Sequence, residues 1–337
     1  MAMFLASLMM LSLASCGQKE EQTPADTTPA ETEQPAPAQW TPSGSVDFVC
    51  PYGAGGGSDV CARTIASVMT DGGYCDASVV VQNLSGGGGL VGTTYVYGKK
   101  GDDMTLCTYA PGQLASAIAN NSECQWDSIT QIALLAFEEQ TICTAAGKFE
   151  SLDALISYSK EHPGEVTIGG CGIGNEDNVC AALLNSVAGA DVTYVLYDSA
   201  GDMMTAILGG HLTGGIFNPS ECTAQVQSGD VDCLASFSAD SLSNIKGFEA
   251  VPTCKSLGYD IDFRMFRGVA GAPDMSPEAV AYWEETFRKV SEDPAWTDDY
   301  LAAKGLIPAF MVGDELQQFM QDQYDTYYSV QKELGII

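Results

Sequence analysis

Apolar side chains along most of this chain occur in short runs that alternate with segments of helical spacing. Each run has the length and the residue types of a buried strand, and polar or glycine-rich stretches bound it. We expect strands at 46–50, 79–82, 104–109, 166–169 and 192–197. Because helical segments alternate with these runs, the pattern predicts an α/β fold with mainly parallel sheets.

Caps and helix breakers indicate where the helices begin and end. Ser151 precedes a helical segment that stops at Pro163, and Ser276 followed by Pro277 is a strong start signal. Further helices are expected from about 58 to 69, 179 to 187 and 203 to 210. The helix after Ser276 has one apolar face, formed by Val280, Trp283, Phe287 and Val290. A last helix from Asp314 is expected to bury Leu316, Phe319, Met320, Tyr327 and Leu334.

The N-terminal residues follow a different pattern. Residues 3–16 are a short apolar stretch ending in Leu-Ala-Ser-Cys, which is typical of a secretory signal and similar to the lipobox of bacterial lipoproteins. Residues 17–42 are rich in Pro, Thr, Gln and Glu, so we expect a disordered tether. The sequence therefore predicts a lipoprotein signal at 1–16, lipidation of Cys16 and an extracytoplasmic protein that is lipid-anchored to the bacterial cell membrane.

The net charge and the cysteine content limit the kinds of ligand and partner that the protein can be expected to bind. The 337 residues carry 44 acidic and 14 basic side chains, a net charge of −30 that repels nucleic acid and favours solubility. The 12 cysteines include no C-x-x-C pair, which argues against a zinc knuckle or an iron–sulfur run. We interpret most of them as small core residues.

Glycine-rich segments follow a predicted strand in each half of the chain. The segments PYGAGGGSDV at 51–60 and GCGIGNEDN at 170–178 lie where ligands bind in open parallel sheets. Glycines let the backbone approach a ligand closely, and free amides at a helix start favour an anion. No lysine completes a P-loop, and Ser58 and Asp177 stand where a dinucleotide fingerprint needs glycine.

Motifs for catalysis are missing from the sequence. The two histidines, His162 and His211, are expected at the surface, and neither a G-x-S-x-G elbow nor a His-rich metal set occurs. Glu176 and Asp177 fall at a predicted helix start, where we expect them to interact with the helix dipole. We therefore predict no enzyme activity, no cofactor and no metal. A lipoprotein enzyme acting on a phosphorylated small molecule stays a less favoured alternative.

Five segments in order along residues 45–337 carry a family resemblance. They are VCPYGAGGGSDVCAR, VQNLSGGGGLVGT, GGCGIGNEDN, YDSAGDMMTAILGGHL and FRGVAGAPDMSPEAVAYW. Together they resemble the substrate-binding receptors of tripartite tricarboxylate transporters, the Bug receptor family. The resemblance implies a two-lobed periplasmic-binding-protein (Venus flytrap) fold, each lobe a mainly parallel sheet flanked by helices. It also implies a monomer that captures a small carboxylate and delivers it to membrane permease subunits; a flytrap sensory module is the alternative.

The family's ligand loops are similar to four stretches of this chain. They correspond to 53–59, 83–89, 169–178 and 197–202, with Leu84 where the family has arginine. The resemblance and the loop positions imply ligand contacts from Tyr52, Ala54, Gly55, Gly56, Ser58, Asp59, Ser85, Gly86, Gly87, Gly172, Gly174, Asn175, Asn178, Tyr197, Asp198, Ser199 and Asn218.

The lobes can be assigned to ranges of the chain. We expect lobe 1 to consist of 43–144 and 262–337, and lobe 2 of 145–261. Arg264 and Arg267 lie on the returning segment, where pairing with the acidic surface is favoured over a place in the cleft.

Overall fold

A computed structural model describes residues 40–197 and 199–337. The predicted signal at 1–16, the lipidation site Cys16 and residues 17–39 of the predicted tether lie outside the described residues, as does Asp198. The described residues form one compact unit, so the lobes, the cleft and the crossing segments between them can be described together.

Strands and helices alternate through most of the described part. The strands are β1 Ser45–Cys50, β2 Ser78–Asn83, β3 Thr105–Tyr109, β4 Thr130–Glu138, β5 Thr141–Ala145, β6 Thr167–Gly170, β7 Thr193–Leu196, β8 Gly214–Phe217, β9 Val231–Ser236, β10 Met265–Gly271 and β11 Ile307–Met311. The helices are α1 Gly57–Asp71, α2 Leu90–Tyr97, α3 Pro111–Ala119, α4 Leu152–Glu161, α5 Glu176–Ser186, α6 Ala200–Leu208, α7 Pro219–Ser228, α8 Pro277–Glu292, the short α9 Pro294–Trp296 and α10 Gly313–Glu333.

The two sheets confirm a two-lobed α/β fold. The first has the strand order β11-β4-β10-β3-β1-β2, and the second has the order β7-β6-β8-β5-β9. Strands β1, β2 and β3 run parallel, as do β6, β7 and β8. Strands β4, β5, β9, β10 and β11 make antiparallel pairs, so the sheets are mixed rather than mainly parallel.

The antiparallel strands have a physical origin in the connection between the lobes. Parallel neighbours need a crossover helix, whereas a strand that enters from another sheet can pair antiparallel. The chain leaves the first sheet after Glu138 in β4 and enters the second at Thr141 in β5. It returns between Ser236 and Met265. Residue 144, the expected end of lobe 1, lies within β5 of the second sheet.

Buried apolar residues fill both faces of the first sheet. On one face, Phe48 of β1 packs in a cluster with Trp283 and Phe287 of α8 and with Trp296, and these four side chains are fully buried. Burial of such side chains stabilises the fold by about 1.5–3 kcal/mol each. The apolar face expected after Ser276 is therefore a core face, and the Ser276 hydroxyl accepts a hydrogen bond from the amide of Ala279 (3.3 Å).

Helix α10 connects the two lobes. It contacts α3 and β4 of the first lobe and α5 of the second, and Tyr327 belongs to a buried cluster that extends through both lobes. Near its end, the Gln331 side chain is fully buried. Its Nε2 donates to the carbonyl of Ala115 and to that of Gly174, both at 3.0 Å. A single amide thus connects helix α3 with a loop of the other lobe.

Several local expectations differ from the structure. Helix α5 begins at Glu176 instead of 179, because the Asn175 side chain caps it by accepting from the amide of Asn178 (3.3 Å). Helix α6 likewise begins at Ala200, directly after Ser199. Leu334 is 41% exposed, so its predicted burial is wrong; it follows the last residue of α10.

The cysteine interpretation is confirmed for most of the described cysteines. Nine are buried, Cys233 is half-buried and Cys171 is exposed. Burial raises the pKa of the Cys61 thiol to about 11, and that of Cys107 still further. Such thiols stay protonated and pack as small apolar groups. None of the helices in the described ranges is long and apolar enough to span a bilayer.

Candidate functional site

The first glycine-rich loop lies between β1 and α1 and is fixed by Asp59. Gly55 has a φ of +83°, a conformation that favours glycine, and its amide donates to Asp59 Oδ2 at 2.8 Å. Asp59 also accepts from Arg63 Nε (3.1 Å) and from Asn83 Nδ2 (2.8 Å). Hydrogen bonding from Arg63 lowers the pKa of Asp59 to about 2. This carboxylate is therefore ionised, and its hydrogen bonds fix the conformation of the loop.

The start of α1 leaves amide groups available to a ligand. Its N-cap is Gly56, and no side chain among the described residues accepts from the cap amides. Gly57 and Ser58 follow on the cavity wall. A helix N-terminus with free amides carries a partial positive charge and is suited to an anion.

The glycine run after β2 supports the first lobe. Gly86, Gly87, Gly88 and Gly89 all have positive φ, and a Cβ at Gly88 would lie 2.0 Å from the Ser116 Oγ on α3. Only glycine therefore allows this loop to lie against α3. Within this run, the cavity wall includes Gly88.

The loop between β6 and α5 is fixed by its own side chains. The amide of Gly174, with a φ of +71°, donates to Asn178 Oδ1 at 3.0 Å. The amide of Cys171 donates to Asp177 Oδ2 at 2.7 Å. Tyr194 Oη donates to the carbonyl of Gly172 at 2.6 Å. The loop is therefore ordered without any ligand contact.

A cavity of about 780 Å³ lies between these loops. Six predicted residues line it, Tyr52, Ala54, Gly56, Ser58, Gly172 and Asn175. Helix α3 adds Ser116, its C-cap adds Asn120, and the second lobe adds Cys171, Ile173 and Glu176. Ile173 is 60% exposed, so the cavity wall also offers apolar surface. Both glycine-rich loops of the sequence thus meet at one cleft.

Of the predicted residues that the structure describes, the others are not part of the cavity wall. They are Gly55, Asp59, Ser85, Gly86, Gly87, Gly174, Asn178, Tyr197, Ser199 and Asn218. Ser199 and Asn218 precede α6 and α7 as N-caps, and Asn218 Nδ2 donates to the carbonyl of Glu139 at 2.8 Å. As ligand contacts these residues stay predictions, and Asp198 lies outside the described part.

Arg267 on β10 brings a cation into the cleft. Its guanidinium forms an ion pair with Glu138 of β4, and its Nη1 donates to the Ser58 Oγ at 3.3 Å. The expectation of pairing with the acidic surface is thus wrong for Arg267, because the side chain of its partner Glu138 is only 8% exposed. It is confirmed for Arg264, which pairs at 3.0 Å with Asp240, an exposed carboxylate. Position within β10 decides the difference, because Arg264 precedes the strand and Arg267 lies inside it.

Glu176 is the first residue of α5 and lines the cavity. Its Oε2 is buried and has no hydrogen-bond partner among residues 40–197 and 199–337. Burial raises the pKa of this carboxyl, while the charge of Arg267 opposes the shift. Glu176 and Asp177 lie in the first turn of α5, as the sequence predicts, although Asn175 is the cap; Glu176 also belongs to the cavity wall. Neither Glu176 nor Arg267 was among the predicted ligand contacts.

Tyr52 lies where the first loop meets α3. A Cβ at Gly112 would lie 2.7 Å from the Tyr52 Oη, so only a glycine at this position leaves room for the ring. Burial raises the pKa of this phenol, which therefore stays protonated and able to donate a hydrogen bond. Within the described ranges, no group of three or more His, Cys, Asp or Glu side chains is placed to hold a metal ion.

Two α/β lobes joined by crossing strands, with a cleft between glycine-rich loops, define the class of two-lobed solute-binding proteins. The family model of the tripartite tricarboxylate transporter family receptor, TctC, matches residues 61–336. The chain therefore belongs to this receptor family, as its sequence segments predict.

Individual relatives agree with this assignment. The chain is 25% identical over 307 residues to protein BugT of Bordetella pertussis, a match that covers 89% of this chain and 92% of BugT. The crystal structure of a TctC solute-binding protein from Polaromonas is similar with a TM-score of 0.78 and 23% identity, covering 87% of this chain and 99% of that one. MatC from Rhodopseudomonas palustris, solved with bound malate, is similar with a TM-score of 0.66 and 19% identity, covering 86% and 99%.

Proposed function

We propose that this chain is an extracytoplasmic receptor that captures a small carboxylate between its lobes and delivers it unchanged to a tripartite tricarboxylate-type membrane permease. The observation that carries the proposal is the cavity of about 780 Å³, whose wall combines the free amides at the start of α1 with Ser58 and Arg267. These groups donate hydrogen bonds, and a carboxylate accepts them.

The strength of such a site can be bounded from its contacts. A hydrogen bond to a charged group contributes ~1.5–3 kcal/mol, and a helix N-terminus adds ~0.3–1 kcal/mol. Three or four contacts from the α1 amides, the Ser58 hydroxyl and Arg267 reach the ~8 kcal/mol of a micromolar complex before ordering costs are subtracted. A carboxylate can therefore be held although the chain has a net charge of −30, since distant exposed charges are screened beyond ~8 Å.

The class of ligand is supported by the family. MatC, which has the same fold, holds malate, and malate is a small dicarboxylate. A carboxylate of this size fits within 780 Å³. Receptors of this family bind solutes, so we assign no chemical step to the cleft of this chain.

Capture is proposed to involve closure of the lobes. The cavity wall takes residues from the α1 side of lobe 1 and from the 171–176 loop of lobe 2, so neither lobe alone surrounds a ligand. The connections at 139–140 and 237–264 are the places where a hinge would act. We expect small-angle scattering to show a lower radius of gyration when a ligand is added. The ligand-free protein, which we expect to be a monomer, is the reference.

Anchoring is proposed from the N-terminal sequence. The stretch ending in Leu13-Ala14-Ser15-Cys16 precedes a polar tether, an arrangement in which a lipidated cysteine would keep the receptor beside its permease. Mass spectrometry of the exported protein is expected to show a lipid on Cys16. An unmodified Cys16 in the mature protein would remove the anchor from the proposal.

The carboxylate site is tested by a melting-temperature screen against mono-, di- and tricarboxylates, amino acids and aromatic acids. A ligand at a hundred times its Kd should stabilise the protein by ~2.7 kcal/mol. The variant Ser58→Ala should lose most of this stabilisation. The matched control is Ser67→Ala, on the same helix but at an exposed position away from the cavity. If no carboxylate stabilises the protein, or both variants behave alike, the proposed site is wrong.

A further inference from the structure

Two cavity-lining residues carry buried polar atoms that lack a partner within the described ranges. They are Oε2 of Glu176, an acceptor, and Nε of Arg267, a donor. A buried polar atom without a hydrogen bond destabilises the protein, and more so when the group is charged. The cleft therefore contains one unsatisfied acceptor and one unsatisfied donor on opposite lobes.

Among the described residues, the cavity wall has one arginine and one glutamate, and only the arginine belongs to an ion pair. Arg267 is already paired with Glu138, and the Glu138 side chain is only 8% exposed. This pair is internally neutral. Glu176 has no such partner, because its buried oxygen accepts nothing among the described residues. Of these two groups, the one left unpaired is therefore the carboxyl group of Glu176, and burial without a hydrogen-bond donor from the described part of the chain disfavours its charged form.

We propose that the ligand carries a cationic nitrogen as well as a carboxylate, and that Glu176 binds this nitrogen. This inference rests on the proposed function, since the carboxylate end is assigned to the α1 amides, Ser58 and Arg267. An ammonium group donates three hydrogen bonds and accepts none, so it satisfies the Glu176 Oε2. The carboxylate of the same molecule accepts from Arg267. One zwitterionic ligand thereby supplies the partners that both lobes lack.

A plain dicarboxylate fits the same cleft less well. Its second carboxylate would place two more acceptor oxygens beside Glu176, so it would bind only with uptake of a proton by this carboxyl, because like charges at contact distance repel one another. Among the described residues, the cavity wall offers no further cation to compensate, because Arg267 is shared with Glu138. Replacement of a hydrogen atom of the ligand by an ammonium group therefore converts a repulsive contact into a hydrogen-bonded ion pair.

The test uses pairs of probes that differ by an amino group. Succinate is compared with L-aspartate, glutarate with L-glutamate, and butyrate with 4-aminobutyrate, by isothermal titration of the mature protein. In each pair that binds, the amino compound should bind about tenfold tighter or more, the size expected for a hydrogen bond to a charged group. The variant Glu176→Gln should reduce this preference by about tenfold, because it removes the charge and keeps the shape.

The matched control is Glu161→Gln, which removes one negative charge from an exposed position of the same lobe. It should leave the preference unchanged. A plain carboxylate that binds wild-type protein as tightly as its amino partner, or a preference that survives Glu176→Gln, overturns the inference while the receptor function stands. If neither these probes nor any other carboxylate binds, the proposed function itself fails. The wild-type comparison decides the matter even if Glu176→Gln does not fold.

Discussion

The loops at 51–59 and 170–178 are fixed by the same kind of hydrogen bond, but the accepting group is charged in the first loop and neutral in the second. In each loop, a glycine with a positive φ donates its amide hydrogen to a side-chain oxygen four residues later, on the third residue of the helix. Asp59 accepts from Gly55 in this way, and Asn178 accepts from Gly174. The first oxygen belongs to an ionised carboxylate that Arg63 supports. The second belongs to a neutral amide.

Neighbouring carboxyl groups give a physical reason for this difference. The second loop already contains Glu176 and Asp177, and the charge of Glu176 is among the causes that raise the pKa of Asp177. A third carboxylate at 178 would add repulsion without a local arginine to offset it. One loop is thus fixed by Asp59 with the exposed Arg63, and the other by the Asn178 amide and the Asp177 carboxyl, so they should respond differently to mutation and to pH.

The largest effect is expected from the oxygen that fixes the first loop. Asp59→Ala leaves the Gly55 amide, Asn83 and Arg63 without their acceptor, so we expect a loss of about 3 kcal/mol in the free energy of unfolding. The matched change Asn178→Ala should cost about 1 kcal/mol. Urea unfolding measures both values. Equal losses would show that the charge of Asp59 adds nothing to the free energy of unfolding.

The pH dependence of the second loop should be the next largest effect. Burial first, and the Glu176 charge second, raise the pKa of Asp177 above its usual value of 3.8. Its contribution to stability is therefore fully present below about pH 4 and is lost as the pH rises through the folded pKa. Between pH 5 and pH 8, wild-type protein should lose about 2 kcal/mol more than Asp177→Asn.

Thermal unfolding at the two pH values measures this difference. Asp59 provides the contrast, because its lowered pKa makes its contribution present above about pH 4 and lost only as the pH falls towards 2. A wild-type protein and an Asp177→Asn variant that respond alike would contradict the assignment of a raised pKa to Asp177.

The smallest effect is expected from the glycines. Gly55→Ala places a side chain at a φ of +83° and should cost about 1 kcal/mol, although the space beside it is open. Gly56→Ala, at a φ of −75°, should cost less than about 0.5 kcal/mol. Differential scanning calorimetry separates the two. A larger loss for Gly56→Ala would mean that close packing, not backbone conformation, selects glycine in this loop.

Local signals in the sequence predicted much of the fold. Ser151 and Ser276 marked helix starts correctly, and the short apolar runs became β1, β2, β3, β6 and β7. Strand β4 was missed because its residues are buried on both faces, so neither alternation nor helical period marks it. The glycine loops were found because glycine is required by the backbone itself.

The charged part of the site could not be found in the same way. Arg267 contacts Ser58 from 209 residues away in the sequence, and that contact exists only because β10 enters the first sheet between β3 and β4. The burial of Glu176 likewise follows from packing of the second lobe. Long-range sheet order, which no local pattern contains, thus decides which charges face the ligand.

The amide of Gln331 has a consequence for kinetics. It bonds the carbonyl of Ala115 in one lobe and that of Gly174 in the other, and it is fully buried. In the lobe opening that we propose, movement of the Gly174 loop away from α3 would break one of these bonds. We therefore expect the residence time of a ligand to depend on the end of α10 as well as on the cleft. A receptor with such a contact can release its ligand more slowly than the contacts between ligand and cleft alone would predict.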